Sequence, residues 1–274
     1  MPEMPEVETV VRGLRKVILK ETIADIYLNA PKINADNAPG WLETLGGKTF
    51  VGVRRRGKNI LIDLTDQFTL WVHLRMTGQF HYVPVDSPRD KHDLLELTLQ
   101  NNRHVLRYRD YRRFGRVRLR RTDEVMHEKG LANLGPEPLE INANDFAERC
   151  RQSSRMIKPA LLDQTFIAGL GNIYTDEMLF AARIHPRRLT DRVSRRKLVA
   201  MHEAMQTMLK RSIKMMGTTV DSYTGVNGRT GRFQKYLLVY GREGEGCPNC
   251  GTSIRREKIG SRSAHFCPRC QRVG

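Results

Sequence analysis

The sequence predicts an α+β chain of several domains, with a β-sandwich at the N-terminus, a helical domain after it and a small cysteine-built module at the end. Three observations predict this. Short β-rich runs punctuated by Gly, Asn, Asp and Pro fill the first 125 or so residues, the apolar period turns helical beyond residue 140, and four of the five cysteines fall in two C-x2-C pairs after residue 246. A chain of 274 residues is long enough for about two domains of ordinary size, each with its own core.

One helix precedes the strands. Val7, Val10, Val11, Leu14 and Ile18 recur three and four apart, just after Pro2 and Pro5, which is the spacing of a single buried stripe on a helix. The strand runs are 49–55, 59–65, 68–76, 94–99, 104–110 and 116–121, and their turn-like intervals fit a β-sandwich or a barrel. The Gly- and Pro-rich stretch EKGLANLGPEPLE, residues 128–140, reads as a linker after an N-terminal domain of residues 1–127. Four helical stretches follow, NDFAERCRQ, MIKPALLD, NIYTDEMLFAARI and SRRKLVAMHEAMQTMLKRSIKMM, the third starting just after the glycines of GLGN. They define a helical domain of residues 141–235, with a polar loop at 217–233, and residues 236–274 form the terminal module.

The formal net charge is +17 with a pI near 10, and a folded chain tolerates that self-repulsion best when its partner is a polyanion. No stretch approaches the roughly 20 apolar residues of a membrane helix, and the start has no run of signal-peptide length, so the expected location is the cytoplasm. In a reducing compartment the paired cysteines read as metal ligands rather than disulfides. Cys247-Pro-Asn-Cys250 and Cys267-Pro-Arg-Cys270 suit two knuckles converging on one tetrahedral Zn²⁺ per chain, and four thiolates leave no open coordination position, so the zinc is structural. Arg255, Arg256, Lys258 and Arg262 crowd the segment between the knuckles, which suits phosphate contact. Cys150 is left over as a packed thiol.

Two further signals carry chemistry. RYRDYRRFGRVRLRR, residues 107–121, holds eight arginines against one aspartate, with Tyr108, Tyr111 and Phe114 interleaved. Such a run can pair with phosphates and wedge into a base stack, and the competing reading is a solvated strand face. The start Met1-Pro2-Glu3 offers a secondary amine beside an acid once Met1 is removed. An α-amino group has a pKa of roughly 8, so an appreciable neutral fraction can attack an electrophilic carbon and form an imine with an opened sugar.

The segments MPEMPEVETV, RRGKNIL, HLRMTG, YRDYRRFG, LGPEPL, LLDQTFIAGLGNIYTDEMLFAARIHP, GTTVDSY, VYGREGEGCPNCG and HFCPRCQ occur in order along the whole chain. Together they resemble the bacterial formamidopyrimidine-DNA glycosylases, also called 8-oxoguanine DNA glycosylases. The resemblance implies a helix-two-turns-helix arrangement in the helical domain, a zinc finger at the end, and excision of oxidised purines from DNA followed by strand cleavage at the abasic site. It implies that Pro2 is the nucleophile, that Glu3 protonates the sugar ring oxygen, that Lys58 donates a proton in β-elimination and that Arg262 serves δ-elimination. A guanidinium is too weak an acid to serve as a literal proton donor, so Arg262 is expected to act mainly by clamping phosphate. His92 and Arg112 match DNA-contacting positions; Met76, Arg112 and Phe114 match the trio that fills the gap left by the extruded nucleotide. His73, Asn172 and Tyr240 match contacts to the DNA backbone, and Arg155 stands beside Ser154, where a DNA-contacting Lys is common. Residues 217–233 match the segment that closes over the damaged base.

Some positions depart from the family pattern. Met4 replaces the usual Leu, Tyr111 the usual Pro, and Met216 the first Gly of GGTT; Ser261 and Ser263 flank Arg262 where Gly is often found. The partner expected is damaged double-stranded DNA, bound by a monomer near the nucleoid, with no small-molecule cofactor and no membrane. Two other readings stay open, an endonuclease VIII-type enzyme for oxidised pyrimidines and a non-catalytic zinc-finger protein that binds damaged DNA.

Overall fold

The computed structural model describes every residue except 30–32, 34–35, 102, 220–224, 227, 229 and 274. The chain divides into two compact units. The first comprises Met1–Asn133 with Met215–Arg232, and the second comprises Leu134–Lys214 with Phe233–Gly274. The segment that the sequence pattern attaches to the helical domain therefore groups, from 217 to 232, with the N-terminal unit.

The N-terminal unit starts with α1 (Met4–Ile18), led in by Pro5 in its first turn and stopped at Leu19, whose ψ is extended. Its apolar stripe is fully buried: Val11, Leu14 and Ile18 have no exposed surface. Each such side chain contributes about 1.5–3 kcal/mol relative to exposure. The stripe packs on a β-sandwich of β1 (Ile23–Leu28), β2 (Phe50–Arg56), β3 (Asn59–Leu64), β4 (Phe68–His73), β5 (Gly78–Pro84), β6 (Asp93–Leu99), β7 (His104–Asp110) and β8 (Arg116–Arg121), with a one-turn helix α2 (Trp41–Leu45) between β1 and β2. One sheet has the order β1-β6-β7-β5 and the other β2-β3-β4-β8, every pair antiparallel. One apolar core draws on α1 and both sheets. This resolves sandwich against barrel, since the two sheets remain separate. A short helix, α3 (Lys129–Ala132), closes the unit, with Gly130 placed where a Cβ would meet the Trp71 ring.

The second unit contains α4 (Ala143–Arg151), α5 (Ile157–Leu162), α6 (Asn172–Ala181) and α7 (Arg195–Lys214), followed by a hairpin of β9 (Arg255–Ile259) and β10 (Arg262–Phe266). Asn142 caps α4 by accepting the Asp145 N–H, which satisfies one of the helix's orphan donors. The helices α4 and α6 pack on α7, and α6 also packs on β10. Cys150 is fully buried, and that burial pushes its thiol up to about 12, so it is an inert packing group. Among the described residues, no helix is long and apolar enough to cross a membrane.

Candidate active site and DNA-facing residues

At the chain start Pro2 is buried, Glu3 is 3 % exposed and Glu6 2 %. The Glu6 carboxylate accepts the Glu3 N–H at 2.9 Å and the Thr218 N–H at 2.7 Å, which ties residues 217–219 to the first turn of α1. Gly217 has φ +82, and a Cβ there would press on the Glu6 carboxylate, so glycine is required on both counts. Nothing in the sequence pattern marks Glu6 as more than a first-turn acid; its second partner lies 212 positions away. Residues 220–224, 227 and 229, the middle of the expected lesion loop, lie outside the described residues.

The helix α1 packs on β2 and β3, and the turn between those strands carries Lys58. A lysine at a turn is ordinarily solvated, but Lys58 is only 6 % exposed. His73, at the end of β4, pairs in register with Asn59. Burial, with the positive charges of Arg75 and Lys58 nearby, pushes His73 down to about 3. Its Nδ1 accepts the Arg75 N–H at 3.0 Å, so the neutral ring carries its proton on Nε2, the atom that can donate to a phosphate.

The trio expected to fill the DNA gap forms one exposed cluster. Met76 sits in the turn between β4 and β5; Arg112 and Phe114 sit in the turn between β7 and β8. Met76 is 44 % exposed and Phe114 50 %, which excludes a role as core filler. Arg112 Nη1 lies 3.0 Å from the Met76 sulfur, and the guanidinium stands 4.8 Å from the Phe114 ring centre. His92 packs its ring on Tyr111 with centroids 4.8 Å apart, and its Nδ1 is buried with no hydrogen-bond partner.

The reading of residues 107–121 as one DNA-contacting run needs correction. Tyr108 is fully buried in the core. Arg107 is 3 % exposed and donates to Glu96 at 2.5 Å and to the Pro88 and Ser87 carbonyls; Arg109 pairs with Asp93 at 2.7 Å. Burial opposes charge on Asp93 and Glu96, yet these guanidinium partners hold both carboxyls below their usual range. Arg118 is paired with Asp36 and Arg120 with Glu128. Only the turn from Tyr111 to Phe114 is exposed throughout. The acids at 93 and 96, one strand earlier, consume the charge that the run displays in one dimension.

In the second unit, Asn172 opens α6, and its Oδ1 is buried without a hydrogen-bond partner. A helix start favours anions. Arg155 is exposed, but its guanidinium is 2.8 Å from Asp163, which partly neutralises it. Tyr240 packs edge-on to His265 with centroids 4.9 Å apart. The backbone N–H groups of Leu238, Val239 and Tyr240 all donate to the Glu177 carboxylate; burial raises the Glu177 pKa against their pull. Arg262 opens β10, exposed and without an ion pair among the described residues. Its neighbourhood is anchored by buried charge. Lys158 and Asp176, 0 % and 1 % exposed, form an ion pair; Lys158 also donates to the Ser263 carbonyl, and Asp176 accepts from the His265 N–H at 2.9 Å and lies 3.2 Å from its Nδ1. Asp176 and Glu177 escape sequence reasoning because two adjacent acids on a helix look like solvated surface.

The four cysteine sulfurs all lie within 4.8 Å of one another, with Cys247 to Cys270 at 3.9 Å and Cys250 to Cys267 at 3.5 Å. Zn–S bonds of about 2.3 Å in a tetrahedron place sulfurs about 3.8 Å apart. Both knuckles turn on hydrogen bonds to their first cysteine's carbonyl, from Gly251 and from Gln271 at 2.9 Å each. The donor set fits the metal, and the four thiolates hold one structural Zn²⁺.

The N-terminal domain model of formamidopyrimidine-DNA glycosylase matches residues 1–117, its H2TH domain model matches 134–224, and a zinc finger found in FPG and IleRS matches 244–273. The chain belongs to the formamidopyrimidine-DNA glycosylase family. A family protein of Pelotomaculum thermopropionicum is 42 % identical over 276 residues, covering 100 % of each chain, and one of Lactobacillus helveticus is 41 % identical over 276 residues, covering 99 % of each. A Lactococcus lactis FPG variant solved with Fapy-dG-containing DNA superimposes with a TM-score of 0.92 at 39 % identity, covering 99 % of this chain and 100 % of that one. The Lactococcus lactis Fpg solved with DNA containing an abasic site gives 0.92 at 39 % identity over 98 % and 99 %. Against the formamidopyrimidine-DNA glycosylase pattern, Met4 is accommodated in the core with no exposed surface, and Tyr111 is 47 % exposed beside the trio. Met216 takes a left-handed backbone with φ +64, where the family's usual glycine would be unstrained.

Proposed function

We infer that this chain excises oxidised purines from double-stranded DNA and then cleaves the strand at the resulting abasic site, with Pro2 as nucleophile. With Met1 attached, the Pro2 nitrogen is an amide; its removal yields a secondary amine next to Glu3. The amine lone pair attacks the deoxyribose C1′, the bond from C1′ to the damaged base breaks, and Glu3 protonates the ring oxygen as the sugar opens to an iminium. Lys58 serves proton transfer during β-elimination of the 3′ phosphate. Arg262 clamps the phosphate that leaves during δ-elimination. His73, His92, Asn172, Tyr240 and Arg155 contact DNA around the lesion. A chromosomal substrate places the enzyme with the nucleoid in the bacterial cytoplasm.

The observation that carries this reading is the exposed Met76–Arg112–Phe114 cluster. An extruded base leaves an apolar stacking gap and an orphaned partner, and a flexible thioether, a guanidinium and a flat ring answer those needs. A protein that only coats DNA has no use for apolar groups held in water at the tips of two turns. The Fapy-dG and abasic-site DNA bound by its relatives favour the same class of substrate.

Borohydride trapping tests the chemistry. The Met1-free enzyme is expected to form a covalent adduct on 8-oxoguanine and on abasic duplexes, and Pro2→Gly to lose trapping while retaining DNA affinity. No adduct from the wild type would support the non-catalytic binder, and faster trapping on thymine glycol than on 8-oxoguanine would support the pyrimidine enzyme.

A further inference from the structure

Each of the two turns that carry the trio crosses between the sheets: β4 and β8 belong to one sheet, β5 and β7 to the other. Neither turn has regular structure of its own to hold it. Arg75 and Arg113 even adopt left-handed backbones, at φ +54 and +56, which are unfavourable for residues with a Cβ. Something must fix both turns relative to each other, or the cluster would pay its ordering entropy each time it entered DNA.

The group placed to do this is Asp110, the last residue of β7, with no exposed surface. Its Oδ1 accepts from the Thr77 hydroxyl, one residue after Met76, and from the Arg112 N–H at 3.1 Å. Its Oδ2 accepts the Gly115 N–H, one residue after Phe114, at 2.7 Å. The Thr77 hydroxyl oxygen also lies 3.2 Å from the Arg112 N–H, so the two turns meet at one carboxylate. Beneath it, Gly78 and Gly115 leave room for the buried Tyr108 hydroxyl, with which a Cβ at either position would collide. The carboxylate is therefore spent wholly on the two turns, and each bond lands on or beside a member of the trio.

We propose that Asp110 is the positioning residue for strand insertion: it pre-orders Met76, Arg112 and Phe114 before DNA is met. This rests on the reading of the trio as the filler of the vacated space. Its consequence is selective. Steps that require a base to be forced out depend on Asp110, whereas elimination at a site that has already lost its base does not.

Asp110→Asn is the near-isosteric test, because it keeps one carbonyl acceptor while setting an NH₂ donor against a backbone N–H. Loss of a charge-assisted bond in this setting is expected to slow single-turnover excision of 8-oxoguanine from duplex about ten-fold, with abasic-site cleavage changed less than about two-fold. Thr77→Val removes the hydroxyl bridge without touching the Gly115 bond, guards against a folding defect in the first variant, and is expected to give the same selective loss at about three-fold. In the Phe114→Ala background, Asp110→Asn should cost clearly less than it does in the wild type, since part of its action runs through Phe114. Equal losses on both substrates, or additive losses in the double variant, would overturn the proposal. If Phe114→Ala itself fails to discriminate between the substrates, the reading of the trio falls. If Phe114→Ala discriminates and Asp110→Asn and Thr77→Val do not, only the role of Asp110 falls.

Discussion

Replacing Phe114 with Ala separates insertion from stability, because the ring does so little in the free protein. It is half exposed, and it stands against the Arg112 guanidinium, 4.8 Å from the ring centre. Truncation should cost less than about 1 kcal/mol of folding stability, the scale of an exposed cation–π contact. On the proposed reading the same ring replaces a lost stacking partner in the DNA complex, a contact worth about 1–3 kcal/mol, which corresponds to a slowing of roughly 5- to 150-fold. The assay is single-turnover excision from an 8-oxoguanine duplex beside cleavage of an abasic-site duplex, with thermal melting as the control. The expected pattern is a loss of about thirty-fold on the first substrate, a loss within about two-fold on the second, and an unchanged salt dependence, because no phosphate contact is removed. A melting temperature lowered by many degrees, or equal losses on both substrates, would refute the reasoning.

Met216→Gly should relieve the left-handed strain at φ +64 and stabilise the protein by roughly 0.5–1 kcal/mol after glycine's own entropic cost; a lowered melting temperature would contradict it. Stripping zinc with a chelator should release one metal per chain and weaken DNA binding. The N-terminal unit, whose core contains no finger residue, should keep its melting transition, and global collapse in calorimetry would count against that independence. His73 titrates at about 3 in the fold against 6.5 in the free chain, so between those values the unfolded state holds more protons. Its contribution is complete above pH 6.5 and is lost as pH falls toward 3; His73→Gln should therefore flatten the decline of melting temperature over that window, and an unaltered slope would argue against a neutral His73.

Much of this was visible in one dimension wherever a local pattern sufficed. The stripe of α1, the helices α4 to α7, and the paired cysteines each have a period or spacing that nearby residues dictate. Two strands were not visible. In β1 only Ile23 is fully buried and Asp25 interrupts the run, while β5 begins with Gly and ends with Pro. Both are edge strands of their sheet, where the pressure for a continuous apolar run is weakest. The site divides in the same way. Chemically distinctive residues such as Pro2, Lys58, Met76 and Phe114 stood out through their motifs, whereas Glu6, Asp110, Asp176 and Glu177 act through partners brought in by the fold. An acid's identity says nothing of which backbone N–H groups will converge on it, and an arginine run does not say which of its members will be neutralised.

The buried ion pair of Lys158 and Asp176 bears on how freely the C-terminal module can be exchanged. A finger of this type is matched as a unit of residues 244–273, which invites its transplantation between proteins. Here the hairpin is riveted to its host by charges it does not carry itself: Lys158 lies on α5 and Asp176 on α6, and they grip the backbone at Ser263 and His265. A graft into a scaffold lacking that lysine and aspartate would keep its metal yet lose its aim, while a graft that removed the hairpin from this scaffold would strand two opposite charges at a newly opened surface. The inheritable part is thus larger than the metal-binding loop, and a designer of chimeric repair enzymes would need to move positions 158, 176, 263 and 265 as one set.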